Sequence, residues 1–522
     1  MSTDKVRKSS LIVSTGKVSG ATAASRVLGL VREQIMAYYF GASMATDVFV
    51  AAFRIPNLLR DLFAEGALSA AFVPLFKEKL VTDSEAEAFS LARTVITAIL
   101  LVVGGLVLLG IVAAPAIVFI SANGFTADPE KFNLTVGLTR VMMAYLLLVS
   151  LSALVMGMLN SFGRFGIPAL SPAMFNLGII LSVMVMYHWF DVPVYTMAVG
   201  VLIGGAGQLA MQLPQLWRIR FRFRWSFNFL DETFKRTMRL FLPMAAGMSA
   251  GRVNILVSTL LASFLMEGSL SFLNYSYRLM HFPLGVFAVA LGTVALPNAS
   301  ELAARKEMDR LGSAFADAVS LNMFLVLPSA AFLAIMGRDL VDVIYHWGAF
   351  SESNAANTAL ALLHYSYGLV GFAAVRVTVP IYYALKDSSL PMKISVVSVV
   401  LNMLLYYPLM KMLNFAGLAA ATSIAGLVNF GLLLYYLPRK QVPVAYGSMF
   451  LSFVRIALAA TLAFWLAAMI SIGAPAGWSD GVVRIWQFLV KLVAGGAIYL
   501  ILCALLRVEE IRLVIRKLSG HR

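Results

Sequence analysis

Two apolar segments interrupted by arginines make up residues 25–74, which read SRVLGLVREQIMAYYFGASMATDVFVAAFRIPNLLRDLFAEGALSAAFVP. Valine, leucine, phenylalanine and alanine surround four arginines: Arg26, Arg32, Arg54 and Arg60. The acidic residues within reach in the sequence are Glu33, Asp47, Asp61 and Glu65. An arginine at membrane depth costs at least about 2.5–3.5 kcal/mol, so several together predict a water-filled cavity rather than contact with lipid. The natural occupant of such a cavity is an anion.

The composition of the whole chain indicates a polytopic helical membrane protein. Of its 522 residues 60% are hydrophobic and only 13% are charged, which excludes an ordinary soluble protein. The net charge of +15 could suggest nucleic acid, but we interpret the basic residues as membrane-topology signals and not as a patch interleaved with aromatic residues. The single cysteine, Cys503, excludes an intrachain disulfide. No cleavage pattern follows the basic start, so we expect the first helix to be retained.

Fourteen segments of about 20 residues are predicted to span the membrane. We expect them to be helices, because every backbone group in lipid must be hydrogen-bonded within its own segment. The predicted spans are residues 18–40, 48–76, 91–120, 134–160, 168–188, 195–217, 240–264, 271–297, 314–337, 358–384, 392–411, 415–437, 449–472 and 485–506.

The loops after the even-numbered spans carry the basic residues, which predicts that both termini are cytoplasmic. These loop residues are Lys77, Lys79, Arg164, Arg218, Arg220, Arg222, Arg224, Lys235, Arg236, Arg239, Arg305, Lys306, Arg310, Lys386, Lys393, Arg439 and Lys440. The C-terminal tail adds Arg507, Arg512, Arg516, Lys517 and Arg522. The opposite loops hold Lys131, Arg338, Lys411 and Arg484. A wrong helix count would scramble this alternation.

A weak internal repeat places an intramembrane arginine between a glycine turn and a proline in two parts of the chain. The repeated positions are Gly41, Arg54 and Pro74, and then Gly268, Arg278 and Pro297. Parallel repeats of six helices are a common transporter architecture. We therefore predict three parts: an N-terminal lobe over residues 1–225, a C-terminal lobe over 226–440, and two further helices with a cytoplasmic tail over 441–522.

The arginines of the first lobe have the chemistry of a phosphate or carboxylate site. Arg26 and Arg32 are six residues apart, about 9 Å along a helix and about 120° around it, so their long side chains can converge. A guanidinium binds such anions through two parallel hydrogen bonds and stays charged when desolvated. The alternative is that these arginines pair with neighbouring acids and only fix helix packing. For Arg54 and Glu65 both interpretations stay open.

A second group of basic residues lies in the other half of the chain. Arg278 precedes His281, and Arg376 occurs in FAAVRVTVPIYYALKD, four residues before the helix-breaking Pro380. An intramembrane arginine beside a helix break suits a cavity wall. The sequence has no P-loop, HExxH or GxSxG motif, so we expect neither an enzyme nor an ATPase. We expect no cofactor and no metal site.

Three segments resemble the MurJ (MviN) lipid II flippases of the MOP exporter superfamily: SRVLGLVRE, FGASMATDVFVAAFRIPNLLRDLFAEGALSAAFVP and YRLMHFPLGVFAVALGTVALP. The resemblance extends through the fourteen-span layout. It implies an all-α fold with two six-helix lobes of the MATE/MOP type around a cavity, alternating access, and two C-terminal helices that form a groove for a lipid tail. The implied substrate is lipid II, an undecaprenyl-diphosphate-linked disaccharide-pentapeptide, moved from the cytoplasmic to the outer leaflet of the bacterial inner membrane.

The resemblance also implies a set of substrate-binding residues. The cavity arginines of the family match Arg26, Arg32, Arg60 and Arg278, and its motif aspartate matches Asp47; Ser25, Glu65 and Arg376 complete the predicted set. Some relatives bind sodium through acidic residues, but the corresponding positions here are Ser258, Asn402, Tyr406 and Thr422. Without a carboxylate a sodium ion loses most of its charge compensation, so we do not expect a sodium site.

Other functions stay open at this stage. The chain could export another lipid-linked oligosaccharide, or it could be a non-transporting scaffold for cell-wall synthesis. Exporters of cationic drugs favour acidic cavities, which the arginines oppose. A membrane-embedded glycosyl- or acyltransferase would need an acid/base constellation that the sequence lacks. Expected partners are lipid II, membrane lipids and proteins of cell-wall synthesis and division, but not nucleic acid.

Overall fold

The chain folds into helices joined by short connections. A computed structural model describes residues 2–61, 67–250, 252–473 and 477–511, and within these ranges it contains helices and no strand. The predicted all-α membrane fold is confirmed. Glu65, one of the predicted site residues, lies outside the described residues.

Two compact units divide the chain, Met1–Leu270 and Ser271–Arg522. The first unit contains α1 (Ser2–Phe40), α2 (Met44–Arg60), α3 (Ala67–Thr82), α4 (Glu85–Val112), α5 (Ala114–Ser121), α6 (Pro129–Met143), α7 (Tyr145–Ser161), α8 (Gly166–Met186), α9 (Tyr195–Arg218), α10 (Glu232–Ala250) and α11 (Val253–Ala262). The lobe boundaries predicted at residues 225 and 440 stay predictions.

The second unit begins two residues into α12 (Ser269–Pro283), which a π-helical turn, Leu284–Ala288, connects to the next helix. The helices that follow are α13 (Val289–Ala304), α14 (Met308–Ile335), α15 (Gly337–Ile344), α16 (Glu352–Ala384), α17 (Ser389–Leu413), α18 (Phe415–Tyr436), α19 (Tyr446–Ala468) and α20 (Asp480–Leu505).

Ten helical segments of the described chain are long and apolar enough to cross a membrane, and each coincides with a predicted span. The remaining predicted spans are 18–40, 48–76, 240–264 and 271–297. They are also helical where described, but α1 carries charged residues, and the other three are divided between helices shorter than 20 residues. The count of fourteen spans therefore stays a prediction. Three of these four segments carry predicted substrate-binding residues, whereas Arg376 lies in one of the ten, within α16.

The core of the first unit lies among α3, α4 and α7. Phe72, Phe76, Met158 and Leu159 are completely buried there, together with apolar residues of α4. On the other side of the unit α8 and α9 pack against each other at glycines, and a Cβ added at Gly178 would lie 2.4 Å from the backbone nitrogen of Gly204. Small residues let membrane helices approach closely, so backbone contact replaces side-chain packing here.

A methyl group at Gly204 should separate these two helices. Its Cβ would lie 2.7 Å from the Cα of Phe175 in α8, and backbone cannot move aside as a flexible side chain can. We expect Gly204→Ala to destabilise the protein by about 1–3 kcal/mol, the usual cost of overpacking. The melting temperature and membrane abundance of the variant measure this. Gly104→Ala is the matched control because nothing lies within 4 Å of its added Cβ; equal behaviour of the two variants would contradict the close packing.

The core of the second unit joins α14, α16, α18, α19 and α20. Two buried tyrosines tie these helices to neighbouring backbone: the hydroxyl of Tyr382 donates to the carbonyl of Leu433 at 2.6 Å, and that of Tyr499 to Phe324 at 2.7 Å. Because each phenol finds an acceptor, these large side chains can be buried without leaving a polar group unsatisfied.

Candidate functional site

Arg32 is fixed in place on α1 by side chains on two of its sides. It is buried, with an exposed fraction of 7%, and its guanidinium forms an ion pair with Glu33. A second guanidinium nitrogen, Nη1, donates to Oδ1 of Asn176 in α8 at 3.0 Å, and the group lies 5.4 Å from the centre of the Phe175 ring. The sequence left open the alternative that Arg32 pairs with a neighbouring acid and fixes helix packing. The structure contains such a pair, with Glu33, and this pair holds the guanidinium in one orientation.

Asn176 connects two levels of α1. While its Oδ1 accepts from Arg32, its Nδ2 donates to the backbone carbonyl of Ser25 at 3.0 Å. The predicted residue Ser25 therefore contributes its carbonyl to helix packing. Sequence reasoning missed Asn176, although an asparagine within the apolar segment of residues 168–188 was a visible signal.

Arg26 has different surroundings from Arg32. Its side chain is exposed, and within the described part of the chain it forms neither an ion pair nor a hydrogen bond. One helix thus presents an arginine held by Glu33 and Asn176 and, six residues earlier, a second arginine whose five N–H donors can bind a ligand. This arrangement suits an anion with several oxygen atoms.

Asp61 joins two arginines at the end of α2. Its Oδ1 accepts from Nη2 of Arg60 at 3.0 Å, and its Oδ2 lies 2.8 Å from Nη2 of Arg252, just before α11. The carboxylate side chain is 8% exposed, whereas the two arginine side chains are 22% and 36% exposed. The triad carries a net charge of +1 and keeps both guanidiniums partly accessible. The contribution of Arg252 could not be foreseen, because it is far away in the sequence.

Asp47 has a backbone N–H and a lysine among its partners. Its Oδ2 accepts from the backbone N–H of Gly268 at 2.8 Å and lies 3.6 Å from Nζ of Lys131. Lys131 also rests on the Phe125 ring, 4.2 Å from its centre. Because Asp47 is 2% exposed, these contacts are those of a buried structural carboxylate. Its role in substrate binding stays a prediction.

Three basic side chains gather in the second unit. The charges of Arg278, on α12, and Arg376, on α16, both act on His281. The imidazole of His281 contacts the ring of Tyr277 in a tilted arrangement, with ring centres 3.9 Å apart, and its Nδ1 lies 3.1 Å from the Tyr277 carbonyl oxygen. Both arginine side chains are exposed. The structure thus brings together two predicted site residues that are almost a hundred positions apart in the sequence.

The backbone at Arg376 is approached closely by α13. A Cβ added at Gly292 would lie 2.7 Å from the carbonyl oxygen of Arg376. Glycine is therefore required where the helices pass, and the contact fixes the position of Arg376.

Three of the residues that stand where some relatives bind sodium form a polar cluster: Asn402, Tyr406 and Thr422. The hydroxyl of Tyr406 accepts from Nδ2 of Asn402 at 3.0 Å and lies 3.4 Å from Oγ1 of Thr422. Tyr406 is 1% exposed and Asn402 2%. The phenol thus fills the space among neutral oxygen and nitrogen groups, which is a poor environment for a hard cation.

An ion-pair network that the sequence did not predict connects the end of α15 with the start of α16. Asp342, His346 and Glu352 lie close enough together to hold a metal ion, and among the described residues they are the one such group. However, Arg338 pairs with both carboxylates, at 2.9 Å from Asp342. The guanidinium already neutralises much of their charge, and the group is explained as a surface salt-bridge network.

The fold and the arginine sites define a class, namely multi-pass helical membrane proteins that hold arginines within their helical segments. A solved structure described as lipid II flippase MurJ in an inward closed conformation superposes with a TM-score of 0.78, at 26% identity, covering 94% of this chain and 98% of that chain. An inward-facing MATE multidrug transporter matches with a TM-score of 0.63 at 14% identity over 80% of this chain and 94% of that chain, which shows the shared fold alone.

Sequence comparison gives the family. The model of the lipid II flippase MurJ family matches residues 36–498. The lipid II flippase MurJ of Burkholderia cenocepacia is 33% identical over 428 residues, covering 81% of this chain and 83% of that protein, and the probable lipid II flippase MurJ of Vibrio cholerae is 32% identical over 444 residues, covering 81% and 84%. The chain belongs to the lipid II flippase MurJ family, a family of multi-pass inner-membrane transporters and not of enzymes.

Proposed function

We propose that this chain moves lipid II from the cytoplasmic to the outer leaflet by alternating access, and that its arginines bind the diphosphate. The observation that carries the proposal is that α1 presents one arginine fixed by neighbouring side chains and another that is exposed. Arg32 is held by Glu33 and Asn176, while Arg26 has no ion pair or hydrogen bond within the described residues. The polyprenyl tail can stay in lipid while only the head group crosses.

The two interpretations of the arginines, structural and functional, are compatible. Burying a guanidinium is costly unless it is paired, and Glu33 and Asp61 supply that pairing for Arg32 and Arg60. A diphosphate brings at least two negative charges, which favour the guanidiniums of Arg26 and Arg60 that stay accessible. The basic group around His281 offers the same chemistry in the second unit. Each unit thus has its own means of contacting the diphosphate.

Transport without ATP hydrolysis requires another energy source, and the membrane potential is sufficient. One charge moved through 100 mV is worth about 2.3 kcal/mol. We propose that sodium is not the coupling ion, since Tyr406 occupies the polar cluster with Asn402 and Thr422.

A reconstituted assay tests the function and its sodium independence together. The full chain in vesicles should move fluorescent lipid II between leaflets, and the rate should be unchanged when sodium is replaced by potassium at constant potential. Vesicles with the Arg26→Ala variant are the control for leakage. Flipping that collapses in potassium would contradict sodium independence. Flipping of another lipid-linked oligosaccharide but not lipid II would favour the other exporter. In a strain depleted of this protein, normal flipping with failed assembly of cell-wall synthases would favour the scaffold.

The basic loops lead us to propose that both termini are cytoplasmic. Ser479, before α20, and Ser351, before α16, should then face the outside, and Ser388, before α17, should face the cytoplasm. We expect single cysteines placed at Ser479 and Ser351 by Ser→Cys substitution to react with an impermeant maleimide in intact cells. The cysteine of Ser388→Cys should react only after permeabilisation. The native Cys503 is buried and should stay silent. The reverse labelling pattern would refute this orientation.

A further inference from the structure

An aromatic row lies in the connection between α9 and α10, which contains the sequence RFRFRWSFNFL over residues 220–230. The row consists of Phe223, Trp225 and Phe227, whose exposed fractions are 42%, 57% and 65%. The ring centres of Phe223 and Trp225 are 5.4 Å apart, and those of Trp225 and Phe227 are 6.2 Å apart with nearly parallel planes. Three large rings thus form one continuous exposed surface.

The ends of this segment are anchored in the protein core. Phe221 is buried and packs on Phe89 of α4, with ring centres 5.3 Å apart. At the other end Phe229 packs on Phe234 of α10 at 5.5 Å. The aromatic row is therefore held between a buried anchor, Phe221, and a half-buried one, Phe229. Since the segment is well fixed, the exposure of its rings is a feature of the fold and not of a loose loop.

Contacts with α4 place the row at the depth of the membrane interface. The backbone N–H of Ser226 donates to Oγ1 of Thr97 at 3.1 Å, and the Ser226 hydroxyl lies 2.8 Å from that of Thr94. Thr94 and Thr97 are three and six residues into the predicted span of residues 91–120, which is about 4.5–9 Å along the helix. Further along α4, Leu101 and Val102 are also exposed, as expected of a helix that faces lipid.

Arginines alternate with these rings. Arg220, Arg222 and Arg224 are exposed, and within the described part of the chain their side chains form no ion pair. This segment corrects the interpretation that no basic patch is interleaved with aromatic residues. Aromatic rings prefer the boundary between head groups and acyl chains, and guanidiniums there attract lipid phosphates. The same pattern on a soluble protein would suggest nucleic acid, but the depth of Ser226 favours lipid.

We propose that residues 220–227 form a binding site for an anionic phospholipid of the cytoplasmic leaflet. Phe223, Trp225 and Phe227 insert among the upper acyl chains, while Arg222 and Arg224 bind the phosphate. The site is separate from the arginines proposed to bind lipid II. It anchors the connection between α9 and α10 to the membrane surface.

Quenching of Trp225 by brominated lipids tests this site. The full chain is reconstituted in phosphatidylcholine vesicles with increasing amounts of brominated phosphatidylglycerol or brominated phosphatidylcholine. The Trp225 signal is the difference between the unchanged protein and Trp225→Phe, which keeps an aromatic ring. We expect half-maximal quenching at an about tenfold lower fraction of phosphatidylglycerol than of phosphatidylcholine, because each arginine near the surface adds to the attraction of anionic lipid.

The double variant Arg222→Gln/Arg224→Gln should remove this preference and keep the quenching by phosphatidylcholine. Arg305→Gln/Arg310→Gln is the control for charge, because it removes the same charge from two other exposed arginines, one just after α13 and one in the first turn of α14, which pair with Glu301 and Glu307. Equal quenching by the two lipids in the unchanged protein would overturn the proposal, as would a preference that survives the double arginine variant. No quenching by either lipid would also overturn the proposal, because Trp225 would then lie outside the acyl chains. Because flipping is not measured, the result is independent of the proposed function.

Discussion

Replacing Arg26 by alanine should lower lipid II flipping by at least about tenfold, because each charge-assisted hydrogen bond to the diphosphate contributes about 1.5–3 kcal/mol. The membrane abundance of Arg26→Ala should be unchanged, since the exposed side chain makes no ion pair or hydrogen bond with the described residues. Complementation of a strain depleted of its own flippase, together with immunoblotting of membranes, measures both quantities. Arg26→Lys should rescue poorly, because an ammonium cannot reproduce the two parallel bonds of a guanidinium.

Two further variants separate substrate binding from packing. Arg32→Ala removes the compensation of buried Glu33, so its abundance should fall, and adding Glu33→Gln should restore abundance but not growth. Arg140→Ala is the matched control, because within the described residues the side chain of this exposed arginine bonds to a single backbone carbonyl, that of Ile111 at the end of α4. Normal growth with Arg26→Ala would end the proposal that this residue binds the diphosphate.

Replacing Asp47 by alanine should destabilise the protein by about 3–5 kcal/mol, the usual cost of breaking a buried ion pair. The change leaves the ammonium of Lys131 and the backbone N–H of Gly268 without their acceptor at Asp47. The melting temperature of the purified protein and its abundance in membranes measure the loss. Asp47→Ala/Lys131→Ala should lose less than the sum of the two single changes, because contacting residues are coupled.

Asp191→Ala is the control for this experiment, since Asp191 is exposed and forms no ion pair within the described chain. We expect its melting temperature to equal that of the unchanged protein. If Asp47→Ala keeps its melting temperature and abundance but stops flipping, Asp47 acts on the substrate and not in the structure. That outcome would support the role that the family resemblance implies.

The helical spans could be predicted from the sequence because burial in lipid is a local property. A stretch such as residues 485–506 is apolar except for Gln487 and Lys491, and the bilayer thickness fixes how long it must be. The ten most apolar spans appear where they were predicted. The arginines could be recognised for the same reason, since a charged side chain within an apolar membrane span is energetically costly whatever the tertiary fold.

The partners of those arginines could not be predicted in full. Glu33 and Asp61 are next to Arg32 and Arg60 in the sequence and do pair with them. Asp47, however, pairs with Lys131, and Asp61 also binds Arg252, because helix packing brings distant residues together. The hydrogen bond from Arg32 to Asn176 is likewise a contact between residues far apart in the sequence.

The sequence by itself determined the membrane class, the helices and the presence of arginines within predicted spans. Each of these follows from the polarity of residues along a short segment, because an apolar segment in the bilayer must form a helix to satisfy its backbone hydrogen bonds. Only the tertiary structure decided which arginines are fixed and which are exposed, and that Tyr406 fills the polar cluster with Asn402. Those properties depend on distances between helices, and glycines such as Gly178 and Gly204 set these distances through backbone contact that polarity does not reveal.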